Sequence, residues 1–445
     1  MKRIFLLMLC VAMLMGLTAC GCAKQSDTLT VRYLNFKPES AAAYESLAAI
    51  YQRQTGVKVI IQTAANNTYE QTLAAKMATD EAPTLFQING PRGYAAWKDY
   101  CADLKDTELY KHLTDKSLAI TDGDKVVGIP YVVEGYGILY NTAITDKYLA
   151  LPDKAVNITS MDEVNTYAEL KAVAEDMQKH KGELGIDGVF ASTSMKAGED
   201  WRWQTHLLNI PLYYEWTEGK IDFNDNKALS EIQFSHGDKY RGIYDLYLDN
   251  SVTDRKLVGS KTVSDSMAEF ALEKCAMVQN GNWAWSQIKD VSGNKVKAEN
   301  LRYLPIYIGA EGEESQGLAI GTENYYAINS QATEAEQKAA ADFIWWLYSS
   351  EEGKKQVIEK LGFIAPFDTF SEKETSDDPL AREVARWMAK DKTTHIPWHF
   401  TLFPSARFKE DFGASLLKYA QGTKSWEDVA KDIRDFWKRE AAAIQ

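Results

Sequence analysis

Basic runs, catalytic signatures and paired cysteines are all scarce in this chain. It carries 50 Lys and Arg against 63 Asp and Glu, a formal net charge of −13, with no basic cluster to break the balance. An acidic chain without a basic stripe is a poor partner for a polyanion, which excludes nucleic acid. There is no Gly-x-Ser-x-Gly, no His-Glu-x-x-His, no glycine-rich phosphate loop and no dinucleotide fingerprint. The six histidines (His112, His180, His206, His236, His395, His399) are scattered without metal-ligand spacing, and no cysteine spacing resembles a zinc site. No metal and no cofactor is therefore expected. A glycoside hydrolase would need two carboxylates about 5–10 Å apart. Glu134 with Glu199 or Asp200 could be nominated, but among 63 acidic residues such pairs arise from composition alone.

Only one long apolar run exists, and it is N-terminal. Lys2 and Arg3 precede Ile4 to Leu17, too short for a comfortable membrane span, so residues 1–19 read as a secretory signal peptide. Leu17-Thr18-Ala19-Cys20 has the pattern of a bacterial lipobox, which makes Cys20 the lipid-bearing N-terminus and residues 20–28 a polar tether. Such a chain is anchored to the cell membrane at its extracellular face rather than spanning it. Cys10 leaves with the signal, and Cys22, Cys101 and Cys275 remain. They allow one disulfide and a free thiol, or two unpaired buried cysteines at Cys101 and Cys275, the plainer reading.

What the sequence has in plenty is length, apolar content and aromatic rings. At 445 residues and 45% hydrophobic it is long enough for two sizeable domains. Leu29 to Leu34 reads as a strand. Tyr44, Leu47, Ala48 and Tyr51 recur at helical spacing and stop at Gly56. Val57 to Ile61 is a second strand, Thr68-x-x-Gln71 a capping box for a helix carrying Tyr69, Leu73 and Met77, and Thr84 to Ile88 a third strand. This βαβαβ grammar predicts a parallel sheet with right-handed crossovers. Further on, Ser160-x-x-Glu163 is expected to cap a helix bearing Leu170, Val173, Ala174 and Met177, followed by a strand Gly188 to Ser192. Thr333-x-x-Glu336 caps a helix aligning Ala339, Phe343, Trp346 and Leu347, and a last helix from about Ser425 buries Val429, Ile433 and Phe436. The chain is α/β throughout with a helix-rich C-terminal part.

Ligands of open α/β sheets bind outside the carboxyl ends of the strands, so the loops 35–39, 64–69, 89–94, 131–136 and 279–285 are the places to inspect. They and the segment Gly198-Glu199-Asp200-Trp201-Arg202-Trp203-Gln204 concentrate aromatic and amide side chains, as does Gln279-Asn280-Gly281-Asn282-Trp283-Ala284-Trp285. The phenylalanines, tryptophans and tyrosines number 16, 12 and 23, enough for some to do more than fill cores. A sugar ring has apolar C–H faces that suit aromatic planes and a hydroxyl rim that suits amides, carboxylates and Arg. Glu134 follows two valines, where a carboxylate must meet a cation or a hydrogen-bonding ligand. Tyr325-Tyr326 reads as strand residues pointing to opposite faces, a packing pair.

Three stretches carry a family resemblance. Gly128-Ile129-Pro130-Tyr131-Val132-Val133-Glu134-Gly135-Tyr136-Gly137-Ile138-Leu139-Tyr140-Asn141 resembles the segment where extracellular sugar-binding proteins of ABC importers first cross between lobes. Cys275-Ala276-Met277-Val278-Gln279-Asn280-Gly281-Asn282-Trp283-Ala284-Trp285 is similar to that family's Ala-Met-x-x-x-Gly-x-Trp-Ala-Trp stretch, and Leu361-Gly362-Phe363-Ile364-Ala365-Pro366 follows in the expected order. The chain thus resembles the maltose-binding-protein-like solute-binding proteins (family 1) over nearly its whole mature length. It departs from the maltose-binding pattern in the first loop and around Trp201-Arg202-Trp203.

The resemblance implies a two-lobed periplasmic-binding-protein-like fold (type II) with a hinge. Lobe 1 would comprise residues 29–132 with a return segment 322–349, and lobe 2 residues 133–321 with C-terminal helices 350–445. It implies an oligosaccharide held in the interlobe cleft of a monomer and delivered to an ABC permease, with no bond cleaved. Glu134 matches the ligand carboxylate, Trp283 the aromatic platform and Trp285 its neighbour. Asn35, Lys37, Glu39, Asn67, Tyr69, Asn89, Tyr136, Trp201, Trp203 and Asn280 complete the expected site, with Trp398, and more loosely Phe403, as late stacking aromatics. Two other readings compete. A polyamine-binding protein would need a carboxylate-lined cleft, and a carbohydrate-active hydrolase would release reducing sugar.

Overall fold

The computed structural model describes residues 29–64, 68–223, 227–371 and 373–443; the leader, Cys20, Cys22 and Asn67 lie outside these. Eleven strands are described: β1 (Thr30–Asn35), β2 (Lys58–Thr63), β3 (Leu85–Asn89), β4 (Ile120–Asp122), β5 (Lys125–Pro130), β6 (Glu134–Asn141), β7 (Met277–Gly281), β8 (Leu301–Leu304), β9 (Gln316–Gly321), β10 (Asn324–Ile328) and β11 (Thr394–Ile396). β1, β2 and β3 pair in parallel, as a βαβαβ unit requires. Between β1 and β2 the helix Ala41–Thr55 buries Tyr44, Leu47, Ala48 and Tyr51, and it ends on Gly56 at φ +79°, a left-handed turn that glycine adopts without strain. β10 enters antiparallel between β3 and β5, giving the order β2-β1-β3-β10-β5-β4. Its alternation sends Tyr326 into a tyrosine-rich core with Tyr33, Tyr44, Tyr131 and Tyr348, and Tyr325 into a separate cluster on the other face.

The second sheet is organised around β6. β7 lies antiparallel on one side, β9 and then β8 on the other, and β11 runs parallel to β9. Gly137 lets β8 approach: a methyl group there would stand 2.5 Å from the Leu304 carbonyl oxygen and 2.8 Å from Leu318. A large apolar core wraps this sheet and includes the C-terminal helices Ala406–Ala420 and Trp426–Ala442, where Val429, Ile433 and Trp437 are buried and Phe436 only partly.

The two sheets are the two lobes. The chain passes from the first to the second between β5 and β6 and returns between β9 and β10. Beside the first crossing Val133 N donates to Ile364 O at 2.8 Å, so a third stretch of chain supports the hinge.

Several local expectations need correction. The segment 350–370, expected with lobe 2, packs on the first core, because Phe363 lies 5.7 Å from Tyr131 and Phe367 4.7 Å from Tyr348. Ile364 touches the second lobe, and the helix Pro379–Met388 joins it through Leu380, Val384 and Trp387. Ser160 and Glu163 close a single turn, and the helix Tyr167–Lys179 opens on its own box, Thr166 with Glu169. Thr68 occupies an N-cap, but its side chain makes no cap hydrogen bond. Residues 188–192 form no strand of their own; Phe190 bridges Ser251 and Met277. The Thr333–Glu336 box is made, and Cys101 and Cys275 are both free thiols.

The close approach at Gly137 yields a stability prediction. Gly137→Ala should destabilise the protein by about 1–3 kcal/mol in urea unfolding, the scale of overpacking against neighbours that cannot retreat. Gly182→Ala, where an added methyl meets nothing within 4 Å, should leave stability unchanged or slightly raised.

Candidate functional site

Two indoles are laid on glycines at strand ends. After β7 the chain makes one tight turn, Asn282–Ala284, which folds Trp283 back over Gly281; a methyl group on Gly281 would stand 2.2 Å from the indole ring. At the end of β9 a methyl on Gly321 would stand 2.7 Å from Trp398. Any larger residue at either glycine displaces a ring.

Around these two indoles the second lobe assembles further rings. Trp201 precedes a π-helical turn, Arg202–Leu207, an irregularity that recurs at functional sites. The Trp201 ring lies 4.9 Å from His206 and 5.9 Å from Trp283, and His206 lies 5.4 Å from Trp283. His206 stacks on Tyr136 at 4.4 Å, and Trp398 closes the group at 6.2 Å from Trp283 and 5.0 Å from Phe400. Trp201 and Trp283 are half-buried, so the surface they form is sheltered but reachable.

Polar groups face this surface from the hinge. Lys37 Nζ donates to both oxygens of Glu134 at 2.7 and 2.9 Å, with both side chains buried, and Glu39 stands 3.9 Å away. Burial alone would lower the Lys37 pKa; Glu134 and then Glu39 outweigh it and hold the ammonium above its ordinary value. A cavity of about 240 Å³ opens between the lobes here, lined by Glu39, Glu134, Asn282, Trp283, Trp285 and Asp378 among others. That is just below the usual 300–1,000 Å³ of a ligand pocket. Burial pushes the Asp378 carboxyl up to about 6 although it caps the helix Pro379–Met388 through Leu380 N and Ala381 N.

Across the groove the lobes already touch. Arg92 Nε of the first lobe donates to Leu402 O of the second at 3.5 Å, and Gly90 lies against Thr401. Several polar atoms near this seam are buried without a hydrogen-bond partner in the protein: Asn89 Oδ1, Asn324 Nδ2, Trp283 Nε1, Trp398 Nε1 and all three side-chain nitrogens of Arg202. Each such atom costs about 1–3 kcal/mol while unmatched.

The expected site residues divide accordingly. Glu39, Glu134, Trp283 and Trp285 line the cavity, Lys37 pairs with Glu134 there, Trp201 and Trp398 pack against Trp283, and Asn89 ends β3 in the first lobe. Trp203 does not: it sits in the second core against Tyr244 and Tyr247. Phe403 is likewise core, packed on Phe408 and Trp437. Asn35 spends its amide on Lys37 O, Lys37 N and Thr63 Oγ1, so it shapes the first loop and has nothing left for a ligand. Tyr69 is fully buried, accepting from Gln87 N and donating to Leu34 O. Asn280 is held by Gly281 N and Met267 Sδ. Tyr136 is buried beneath His206 and donates to its carbonyl, which makes it a support for the ring surface. Asn67 lies outside the described residues. Sequence reasoning missed Arg202, His206, Phe400 and Asn282, whose Oδ1 accepts from Gly135 N at 2.9 Å. The available signal was a charge set between two tryptophans with a histidine four residues on.

Comparison with known proteins agrees with this architecture. The family model for bacterial extracellular solute-binding proteins matches residues 46–383. The melibiose/raffinose/stachyose-binding protein MelE of Bacillus subtilis (strain 168) is 26% identical over 191 residues, 41% of this chain and 42% of that protein; the match spans less than half of the relative. Among solved structures, a chitin oligosaccharide binding protein superposes with a TM-score of 0.71 at 19% identity, covering 93% of this chain and 98% of that one. RafE in complex with raffinose superposes with a TM-score of 0.70 at 17% identity, covering 93% and 100%.

The placement of His206 has a consequence for stability. Burial, and then the charges of Arg202 and Lys409, push its imidazole well below the ordinary range. Below pH ~6.5 the unfolded chain takes up a proton that the folded one refuses, so this residue subtracts stability as pH falls and nothing above that point. Urea unfolding of wild type against His206→Gln should show the shallower pH slope between 5 and 6.5 in the variant, by up to about 1.4 kcal/mol per pH unit. Parallel slopes would contradict a neutral, sealed imidazole.

Proposed function

The chain belongs to the bacterial extracellular solute-binding protein family, and from that premise we propose that it captures an oligosaccharide between its lobes and hands it to an ABC permease. The observation that carries this reading is the interlobe cavity in which Trp283, packed against Trp201 and Trp398, stands with Trp285 beside Glu39 and Glu134. Flat indoles grip the C–H faces of pyranose rings, and the charged and amide groups beside them match hydroxyls with fixed hydrogen bonds. A surface of several rings suits more than one sugar unit. The role is binding and delivery, without catalysis.

Ligand capture favours the closed arrangement because only there do both lobes contact the sugar, the hinge closure typical of such proteins. The polypeptide is tethered outside the cell through lipid on Cys20. Among the described residues no helix is long and apolar enough to cross a membrane. Mass spectrometry of the membrane fraction from a host expressing the full chain tests the tether, and Cys20→Ala should move the protein to the medium.

The site is tested by calorimetry over a panel of neutral and acidic oligosaccharides. Trp283→Ala should weaken binding of whichever member binds by about 2–4 kcal/mol, the scale of a buried aromatic anchor. Glu134→Gln should weaken it less and leave the fold intact by circular dichroism. Unchanged affinity in both variants, or no sugar bound at all, would remove the reading.

A further inference from the structure

Among the described residues Arg202 is the charged side chain with the most unmatched buried nitrogens. It is 1% exposed, and none of its three side-chain nitrogens has a hydrogen-bond partner in the protein. Among the described residues no other Lys, Arg, Asp or Glu has a buried side-chain polar atom in that state. Its guanidinium carbon lies 4.0 Å from the centre of the Trp201 ring, the same ring that stands 5.9 Å from Trp283 at the groove. The guanidinium therefore lies over a ring that packs against Trp283 of the cavity.

The surrounding charges do not neutralise it. Glu199 is the carboxylate whose field it feels, but Glu199 accepts from Val263 N at 2.7 Å and stands 4.0 Å from Lys196, with no ion pair to Arg202. His206, beside it, is held neutral. Lys409, on the helix Ala406–Ala420, adds a second positive charge whose field also reaches His206, offset by Glu323 and Glu70 from the hinge and the first lobe. Burial is strong enough to bring the guanidinium down to about 9. A buried, unpaired charge is costly unless a partner of opposite sign arrives. Neutral hydroxyls supply acceptors but leave the charge uncompensated. A carboxylate supplies both, in the planar two-point geometry that a guanidinium fits.

Resting on the sugar-binding reading, we infer that Arg202 forms a carboxylate subsite, and that the preferred ligand is an oligosaccharide bearing a sugar acid, a uronate or a sialate. The same feature disfavours a polyamine, since a cation entering the groove would face an unpaired guanidinium.

Matched pairs that differ in this charge test the inference on the full mature chain by calorimetry: trigalacturonate against its methyl ester, and 3′-sialyllactose against lactose. Raffinose, stachyose and chitotriose serve as neutral references. The charged member of at least one pair should bind ten-fold or more tighter than its neutral partner. Which pair responds separates uronate from sialate. In Arg202→Gln that ratio should fall to within about two-fold of unity, and Arg202→Lys, which keeps charge but loses the two-point geometry, should lie between. Wild-type ratios near one in both pairs, or neutral members binding more tightly, would overturn the inference whatever the variants do. If the neutral references bind under those conditions, the oligosaccharide reading survives its loss. If no sugar of either kind binds, both fail together.

Discussion

Desolvation governs the seam between the lobes. Where the two halves meet, polar atoms leave water before every one of them has a protein partner, and the debt is concentrated on the side chains that face the groove. An isolated hydroxyl and an indole N–H are also unmatched inside the second core, at Tyr247 and Trp203. Those are single weak donors within apolar surroundings. At the groove the unmatched set includes a whole guanidinium, two indole N–H groups and two amide atoms. A molecule with a dense rim of hydroxyls or carboxylate oxygens and an apolar face meets both halves of that surface at once.

The groove combines parts that cannot move with parts that can. Trp283 and Trp398 lie on Gly281 and Gly321 at the ends of paired strands, and Tyr136 fixes His206 from below. These positions are set by backbone packing, so the ring surface is pre-organised and little entropy is lost when a ligand stacks on it. Lys37 and Glu134 differ in kind. Each holds the other, and the Lys37 ammonium has a second carboxylate, Glu39, within 3.9 Å. The rings form the stacking part of the site, and the ion pair beside them its polar part.

Most of the fold was legible in the sequence because its signals are local. Tyr44, Leu47, Ala48 and Tyr51 fall on the buried side of one helix as their spacing requires, and Thr333 with Glu336 makes the box their spacing announces. Failures came where a local signal had two outcomes. Ser160 and Glu163 form a box, but extended backbone at Val164 ends the turn after three residues, and the helix waits for Thr166. The lobe change comes later than residue 350, because Phe363 and Phe367 meet Tyr131 and Tyr348 of the first core, a long-range contact that spacing along the chain does not reveal. At the site, residue type identified the indoles but not their orientation. Trp201 and Trp203 differ by two positions in one helical turn, and that offset alone sends one to the groove and the other into the core. Asn35, Tyr69 and Asn280 have the chemistry of ligand contacts, yet backbone groups nearby consume it, which no spacing rule exposes.

The position of the ion pair ties recognition to closure. Lys37 follows β1 in the first lobe and Glu134 opens β6 in the second, so their bond spans the hinge. Buried pairs of this type contribute little net stability, because the loss of hydration nearly offsets the attraction; with Glu39 3.9 Å from Lys37, a carboxylate remains beside the ammonium when Glu134 is neutralised. The pair thus supplies a geometric constraint rather than a deep energy well. It keeps the two strands in register as the lobes approach, leaving closure to be decided at the far rim, where Arg92 meets Leu402 and where Lys409 lies in the field of Glu70 and Glu323 without a direct ion pair. On the proposed reading, a ligand between the lobes adds contacts to both and so favours this closed arrangement. The proposed delivery to a permease rests on that division: a hinge that guides the lobes, and a ligand that adds its own contacts to those at the rim.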